Sequence, residues 1–159
     1  TRTHSTVEIA GQDSSEVWAS FRVARRARVM DVQVDEQGDR ISVTGAHDGY
    51  CRLAGRPLHR RSWTFNRGSL LVEDRIESAR RLPTVARIHL GPDVIAVKPS
   101  SATELRLETR AGRTIKIETT SESRIEPGNW HPEFGKAIPI HVVSTPIDNG
   151  TLTTRLCWA

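Results

Sequence analysis

The sequence predicts an all-β protein, an antiparallel β-sandwich of two stacked sheets. Three observations carry that expectation. Polar and apolar residues alternate with a period of two in run after run, as in LLVEDRIE, where Leu70, Val72, Asp74 and Ile76 share one side. The runs are short and are separated by turn formers such as Asn66-Arg67-Gly68 and Asp148-Asn149-Gly150. Only 36% of the residues are hydrophobic, which suits strands that bury one face and wet the other. A chain of 159 residues is expected to form one domain with a core of useful size.

The first strand is expected at 5–10, STVEIA, with Val7 and Ile9 inward and GQDSSE ending it. Two patterns compete from Glu16 to Val29. Asp13 and Glu16 have the spacing of a capping box, and Val17, Phe21 and Ala24 have helical spacing, yet Phe21 and Val23 also alternate. The reading favoured is a short turn at 14–18 followed by a strand. Strands then follow at 28–35, with Val32 and Val34 inward, and at 40–44, with Ile41 and Val43 inward, around the turn EQGD. The stretch GAHDGYCRLAGRPLHRRSWTFNRGSLLVEDRIE is the centre of the chain. In LHRRSWTFN, His59, Arg61, Trp63 and Phe65 fall on one face, and the turn at Asn66-Arg67-Gly68 leads into LLVEDRIE as a hairpin.

Beyond the link ARRLPT, VARIHL places Ala86, Ile88 and Leu90 opposite Arg87 and His89, and GPD turns into VIAVK. LRLETR and RTIKIETT form a second hairpin around Ala111-Gly112, with Leu105, Leu107, Ile115 and Ile117 inward. GNWHPEFGKAIP, rich in turn formers, reads as an ordered loop. IHVVS and TLTTRLCW are expected to close the chain as a pair, because Asp148-Asn149-Gly150 between them is a strong type I′ signal.

No nucleophile elbow, P-loop, HExxH or CxxC motif occurs, and the six histidines lack the short helical spacing of a metal motif. His59 and Arg61 read as the polar face of a strand. Asp74 lies among apolar neighbours, so it needs a partner, and an Arg is the obvious one. His89 is expected at the surface and His131 as a residue that orders its loop. Trp63 and Trp158 lie in alternating runs and are expected to pack in the core. Tyr50 and Trp130 lie in turns, which makes them the better candidates to stack on a sugar ring. Cys51 and Cys157 make no disulfide framework and are expected as reduced thiols. A formal charge of +4, carried mainly by Arg, admits acidic sugars and nucleic acid alike. No run approaches the ~20 apolar residues of a membrane helix, so no membrane insertion is expected.

The order of motifs resembles the C-terminal β-domain of the heparinase II/III-like polysaccharide lyases. The strings that carry the resemblance are HDGY-x-RL-x-GRP-x-HRR and L-x-VEDRI, with RTHSTVEIAG and FRVARRA ahead of them. RIHLGPDV, NWHPEFGKAIP and LTTRL follow in the family's order. Departures are Thr3 for the usual Ala, Ser5 for the usual Asn, and Gly91 where a second His often stands.

The resemblance implies a β-sandwich that follows an N-terminal helical toroid in a longer parent chain. Such parents cleave uronic-acid polysaccharides, heparan sulfate or alginate, by β-elimination, with Tyr and His as base and acid. The catalytic residues lie in the toroid and in a G-H-x-H-x-D motif with a later Asp-Pro-Gly, and this sequence contains neither motif. The implied partners are therefore an acidic polysaccharide and the helical domain of the same parent, with no nucleic acid. A periplasmic or cell-envelope setting is also implied. His4 matches the family position that completes a zinc site with residues of the missing motif. The isolated chain is expected to be inactive and to bind no zinc tightly. The competing reading is a non-catalytic β-sandwich that binds carbohydrate or serves as an interaction module.

Overall fold

The computed structural model describes residues 1–19 and 22–158, and no helix forms among them. Fourteen strands are arranged in three antiparallel groups. The larger sheet runs β4 (Val29–Gln37), β5 (Arg40–His47), β6 (Leu58–Asn66), β7 (Ser69–Glu77), β14 (Thr151–Trp158), β11 (Thr114–Thr119), β10 (Glu104–Thr109) and β9 (Val94–Pro99) in that spatial order. The smaller sheet runs β1 (Val7–Ile9), β8 (Thr84–His89), β13 (Ile138–Pro146) and β12 (Arg124–Trp130). A separate hairpin joins β2 (Glu16–Ala19) to β3 (Arg22–Arg25).

The two large sheets pack face to face, which is the sandwich expected from alternation. One part of the core gathers Val7, Ile9, Tyr50, Ala86, Ile147 and Leu152; the other gathers Leu90, Leu105, Leu107, Ile117 and Val143. The central hairpin keeps the register its alternation predicts. His59, Arg61, Trp63 and Phe65 stand opposite Ile76, Asp74, Val72 and Leu70. Arg67 and Gly68 turn it, with Gly68 at φ +78°, the left-handed conformation that glycine adopts without steric cost. The β10–β11 hairpin closes around Gly112 in the same way.

Four expectations are corrected. Residues 16–19 form a strand, β2, rather than a turn, and Glu16 pairs with Arg25 in both register and charge. Phe21, named with Val23 as an alternating pair, lies outside the described residues. Gly128, Asn129 and Trp130 belong to β12, paired with Ile140, Pro139 and Ile138, so the loop is confined to 131–137. IHVVS and TLTTRLCW do not pair with each other: β13 sits between β8 and β12, and β14 between β7 and β11. Pro146 lacks the N–H that would continue a ladder. Ile147 is instead buried with its N–H donated to the Thr84 carbonyl, and the Gly150 carbonyl accepts from Ile76 N of the other sheet. The Asp148-Asn149-Gly150 turn therefore carries the chain from one sheet to the other.

The fourth correction concerns Val32 and Val34. Val34 stands opposite Val43, and Val32 touches Gly45, so both lie on the same side of the larger sheet as Ile41 and Val43. Yet they are 60% and 61% exposed. The smaller sheet is four strands wide and the larger eight, so the cover ends before it reaches β4.

Candidate functional site

The polar centre of the molecule is built on the central hairpin. Because β6 and β7 are in register, His59, Arg61 and Asp74 project from the inner face together. Arg61 donates through Nε to Asp74 Oδ1 at 2.7 Å and through Nη2 to Oδ2 at 3.0 Å, a bidentate pair. Its Nη1 donates to the Ser5 carbonyl at 2.7 Å, tying the hairpin to the lead-in of β1. His59 reaches Asp74 Oδ1 at 2.6 Å and His47 at 3.0 Å.

The direction of this chain of bonds follows from its end. Gly49 N–H donates to His47 Nδ1 at 3.2 Å, so the His47 proton sits on Nε2 and is donated to His59 Nδ1. His59 then donates from Nε2 to Asp74. Burial, followed by the neighbouring His59, lowers His47 to about 4. Burial alone would raise the Asp74 carboxyl, but hydrogen bonds from His59 and Arg61, with the charge of Arg61, hold it below the carboxylate range. Both nitrogens of each imidazole are engaged, so the network fixes geometry and offers no free base.

A second polar feature lies on the outer face of the smaller sheet. Arg2 and Thr3 fold over β8, β13 and β12 and leave a cleft of about 430 Å³, lined also by Arg87, His89, Gly128 and His131. Gly128 is needed there: a Cβ would lie 2.5 Å from a methyl of Val142. Glu8 receives Arg2 Nε at 2.8 Å and lies 3.5 Å from Arg87 Nη1. Ser144 donates to Glu126 at 2.8 Å on the same face. His89 is lowered by burial first, with Arg87 and His4 adding in the same direction, so it is neutral at pH 7. Its Nδ1 is buried with no hydrogen-bond partner. The cleft thus combines two arginines, matched in number by Glu8 and Glu126, with a neutral imidazole. It can hydrogen-bond an acidic or hydroxyl-rich ligand.

The residues singled out from sequence fall in three places. His4 is exposed in the segment before β1, its Nδ1 3.0 Å from Thr3 Oγ1, close enough to His89 to affect it. Trp130 is 44% exposed and shares the outer face of β12 with Glu126 and Gly128, beside the cleft. Tyr50 is corrected: it is fully buried between the sheets, where its hydroxyl donates to the Val7 carbonyl at 2.6 Å. A turn places the Tyr50 backbone at the strand end, but its ring fills the core, and burial raises the phenol to about 12.

Trp63 is also corrected, since it is 37% exposed on the uncovered end of the larger sheet. His89, expected at the surface, is half-buried in the cleft. Cys51 and Cys157 are free and half-buried. Sequence reasoning anticipated an Arg partner for Asp74 but missed the two histidines. The signal was present, because His59 and Asp74 lie on facing sides of one hairpin. Among the described residues no group of three or more His, Cys, Asp or Glu side chains is placed to hold a metal ion. A metal role for His4 therefore needs ligands from outside this chain.

No curated relative matches the chain in sequence. Solved structures do match it in fold. A heparan sulfate lyase, HepC, from Pedobacter heparinus superposes with a TM-score of 0.73 at 18% identity over 99% of this chain. Two structures of heparinase III superpose with TM-scores of 0.73 at 14% and 13% identity over 98% of it. The chain spans about a quarter of the length of these proteins: 24%, 24% and 23%. The family model described as heparinase II/III-like, C-terminal, matches residues 1–159. Matched along its whole length by that model, the chain belongs to the heparinase II/III-like family, as its C-terminal β-sandwich domain.

Proposed function

We propose that the chain serves a polysaccharide lyase that cleaves a uronic-acid-containing polysaccharide, heparan sulfate-like or alginate-like, by β-elimination. The whole-length match to the family's C-terminal model supports this reading most directly. In it, the proton alpha to the uronate carboxylate and the proton delivered to the leaving glycosidic oxygen are handled by residues outside this chain. The chain contributes a wall of the substrate groove, with Arg2, Arg87 and His89 facing the acidic sugar and Trp130 beside them for stacking on a ring. His4, next to that cleft, is read as one ligand of a zinc ion whose other ligands come from the rest of the parent.

The test is an assay of the longer polypeptide for the ultraviolet-absorbing unsaturated ends of β-elimination, on heparan sulfate, alginate and hyaluronan. Turnover is expected on at least one of them, and none from residues 1–159 alone. Failure of the longer polypeptide on every acidic polysaccharide would overturn the reading. Zinc analysis before and after His4→Ala checks the metal assignment, and stoichiometric zinc that survives the substitution would refute it.

A further inference from the structure

Four arginines gather at a place that the outer cleft does not include. The stretch ARRAR, running from the end of β3 toward β4, borders a separate cleft of about 560 Å³ with Ser14, the Asp48-Gly49 turn and Arg52. Its lining shares no residue with the outer cleft. Arg25, Arg26, Arg28 and Arg52 face it against one carboxylate, that of Asp48. Glu16, outside the lining, lies 3.3 Å from Arg25 and offsets that guanidinium. Arg26, Arg28 and Arg52 make no ion pair among the described residues.

The frame of this cleft is fixed by backbone contacts. Ala27 N donates to Ser15 Oγ at 3.0 Å and Arg28 N to Asp48 Oδ1 at 2.7 Å, while Asp48 N donates to the Arg28 carbonyl at 3.2 Å. Ala27 packs so close to Gly49 that a Cβ there would lie 2.8 Å from its own. Arg26 and Arg28, on either side of it, are left exposed along the cleft. Arg52 is half-buried, and its guanidinium donates to the carbonyls of Asp13, Ser14 and Gly49. Carbonyls hold the group in place without cancelling its charge. Glu16 also accepts from Trp18 Nε1 at 3.2 Å. That bond sets an indole that is 72% exposed beside Arg25 at the rim.

We propose that this cleft is a second binding site for acidic polysaccharide, in which Arg26 and Arg28 take carboxylate or sulfate groups and Trp18 stacks on a sugar ring. The choice of a sugar rests on the reading that the parent acts on such a polymer. Guanidinium groups bind these planar or branched oxyanions through paired N–H donors. Asp48 gives one oxygen to Arg28 N, and its other oxygen has no partner among the described residues. A sugar hydroxyl can donate to that oxygen, whereas the phosphodiester backbone of duplex DNA carries no such donor. A chain long enough to reach both clefts is held more tightly than either cleft holds it alone.

The test follows modification of each arginine by phenylglyoxal in the longer polypeptide, resolved by peptide mapping and read before appreciable cleavage. With heparan sulfate or alginate chains at about ten times their Kd, the rates at Arg26 and Arg28 should fall about 10-fold. Arg40 and Arg67, exposed at the opposite end of the same sheet, should keep their rates. The variant R26A/R28A should bind the polymer at least ~10-fold more weakly, since charge-assisted bonds are lost, and W18A should also bind it more weakly. Unchanged rates at Arg26 and Arg28 with both polymers would overturn the proposal. So would protection spread equally over all four arginines, equal protection by duplex DNA at matched charge, or undiminished binding by R26A/R28A. Release of unsaturated ends is assayed separately. Protection of Arg26 and Arg28 in a polypeptide that yields none would refute the lyase reading and leave this inference standing, and cleavage without protection would do the reverse.

Discussion

Asp74 shows how far single residues matter. Its carboxylate is buried and receives three hydrogen bonds, two from Arg61 and one from His59. Asp74→Asn keeps the shape and removes the charge, leaving a guanidinium in the interior without its counter-ion. Breaking a buried pair in this way costs about 3–5 kcal/mol, so the urea midpoint should fall accordingly while the slope of the transition is kept.

The same network sets a pH dependence through His47. Unfolded, this imidazole titrates near 6.5, and folded near 4. Between those values the unfolded chain binds the proton more readily. The contribution is complete above about 6.5 and is lost as pH falls toward 4. Allowing for solvent screening at a half-buried ring, it amounts to about 1–2 kcal/mol. Asp74, held below its ordinary 3.8, adds a further loss only in more acidic solution. The drop in urea midpoint between pH 7 and pH 4.5 should therefore shrink in His47→Gln. An undiminished drop would mean that other groups carry it.

Among the elements, the HDGY turn and the β12–β13 pair do the shaping. Tyr50 links the two sheets by donating to Val7. Tyr50→Phe leaves a buried carbonyl unpaired and is expected to cost about 1–3 kcal/mol, read as a lowered unfolding midpoint. In β12, Gly128 lets Val142 close the floor of the cleft. Gly128→Ala drives a methyl into a stiff β-branched neighbour, and overpacking of that kind costs about 1–3 kcal/mol. Val142→Ala in the same molecule should recover part of the loss, because the two side chains compete for one space. A double-mutant cycle with no coupling would show that the strain lies elsewhere.

On the scale of the whole molecule, the sandwich is lopsided, with eight strands facing four. One end of the larger sheet is sealed by two apolar clusters, and the other shows Val29 and Val34 to solvent. The outer cleft, meanwhile, is polar, with Arg2 and Arg87 beside Glu8 and Glu126. If the cleft takes acidic sugar in the longer polypeptide, affinity for heparan sulfate fragments should fall with added salt, since exposed charges are screened over ~8 Å at physiological ionic strength. Equal or tighter binding to duplex DNA would mark a general polyanion surface instead.

The all-β class, the β6–β7 and β10–β11 hairpins and the membership of Leu70, Val72, Asp74 and Ile76 in one face were legible in the sequence, because a period of two and a glycine turn are local properties. Asp74's need for an Arg was legible for a similar reason, since a carboxylate on an apolar face has few other solutions. The fate of Tyr50 and Val34 was not. Alternation says which side of a strand a residue occupies, but not whether another layer lies over that side. The Asp148-Asn149-Gly150 turn makes the same point: its residues specify a reversal, whereas Pro146 and the burial of Ile147 decide that the chain crosses between sheets. Cover, crossing and the meeting of His47 with His59 depend on contacts between strands distant in sequence, and those only the packed sheets determine.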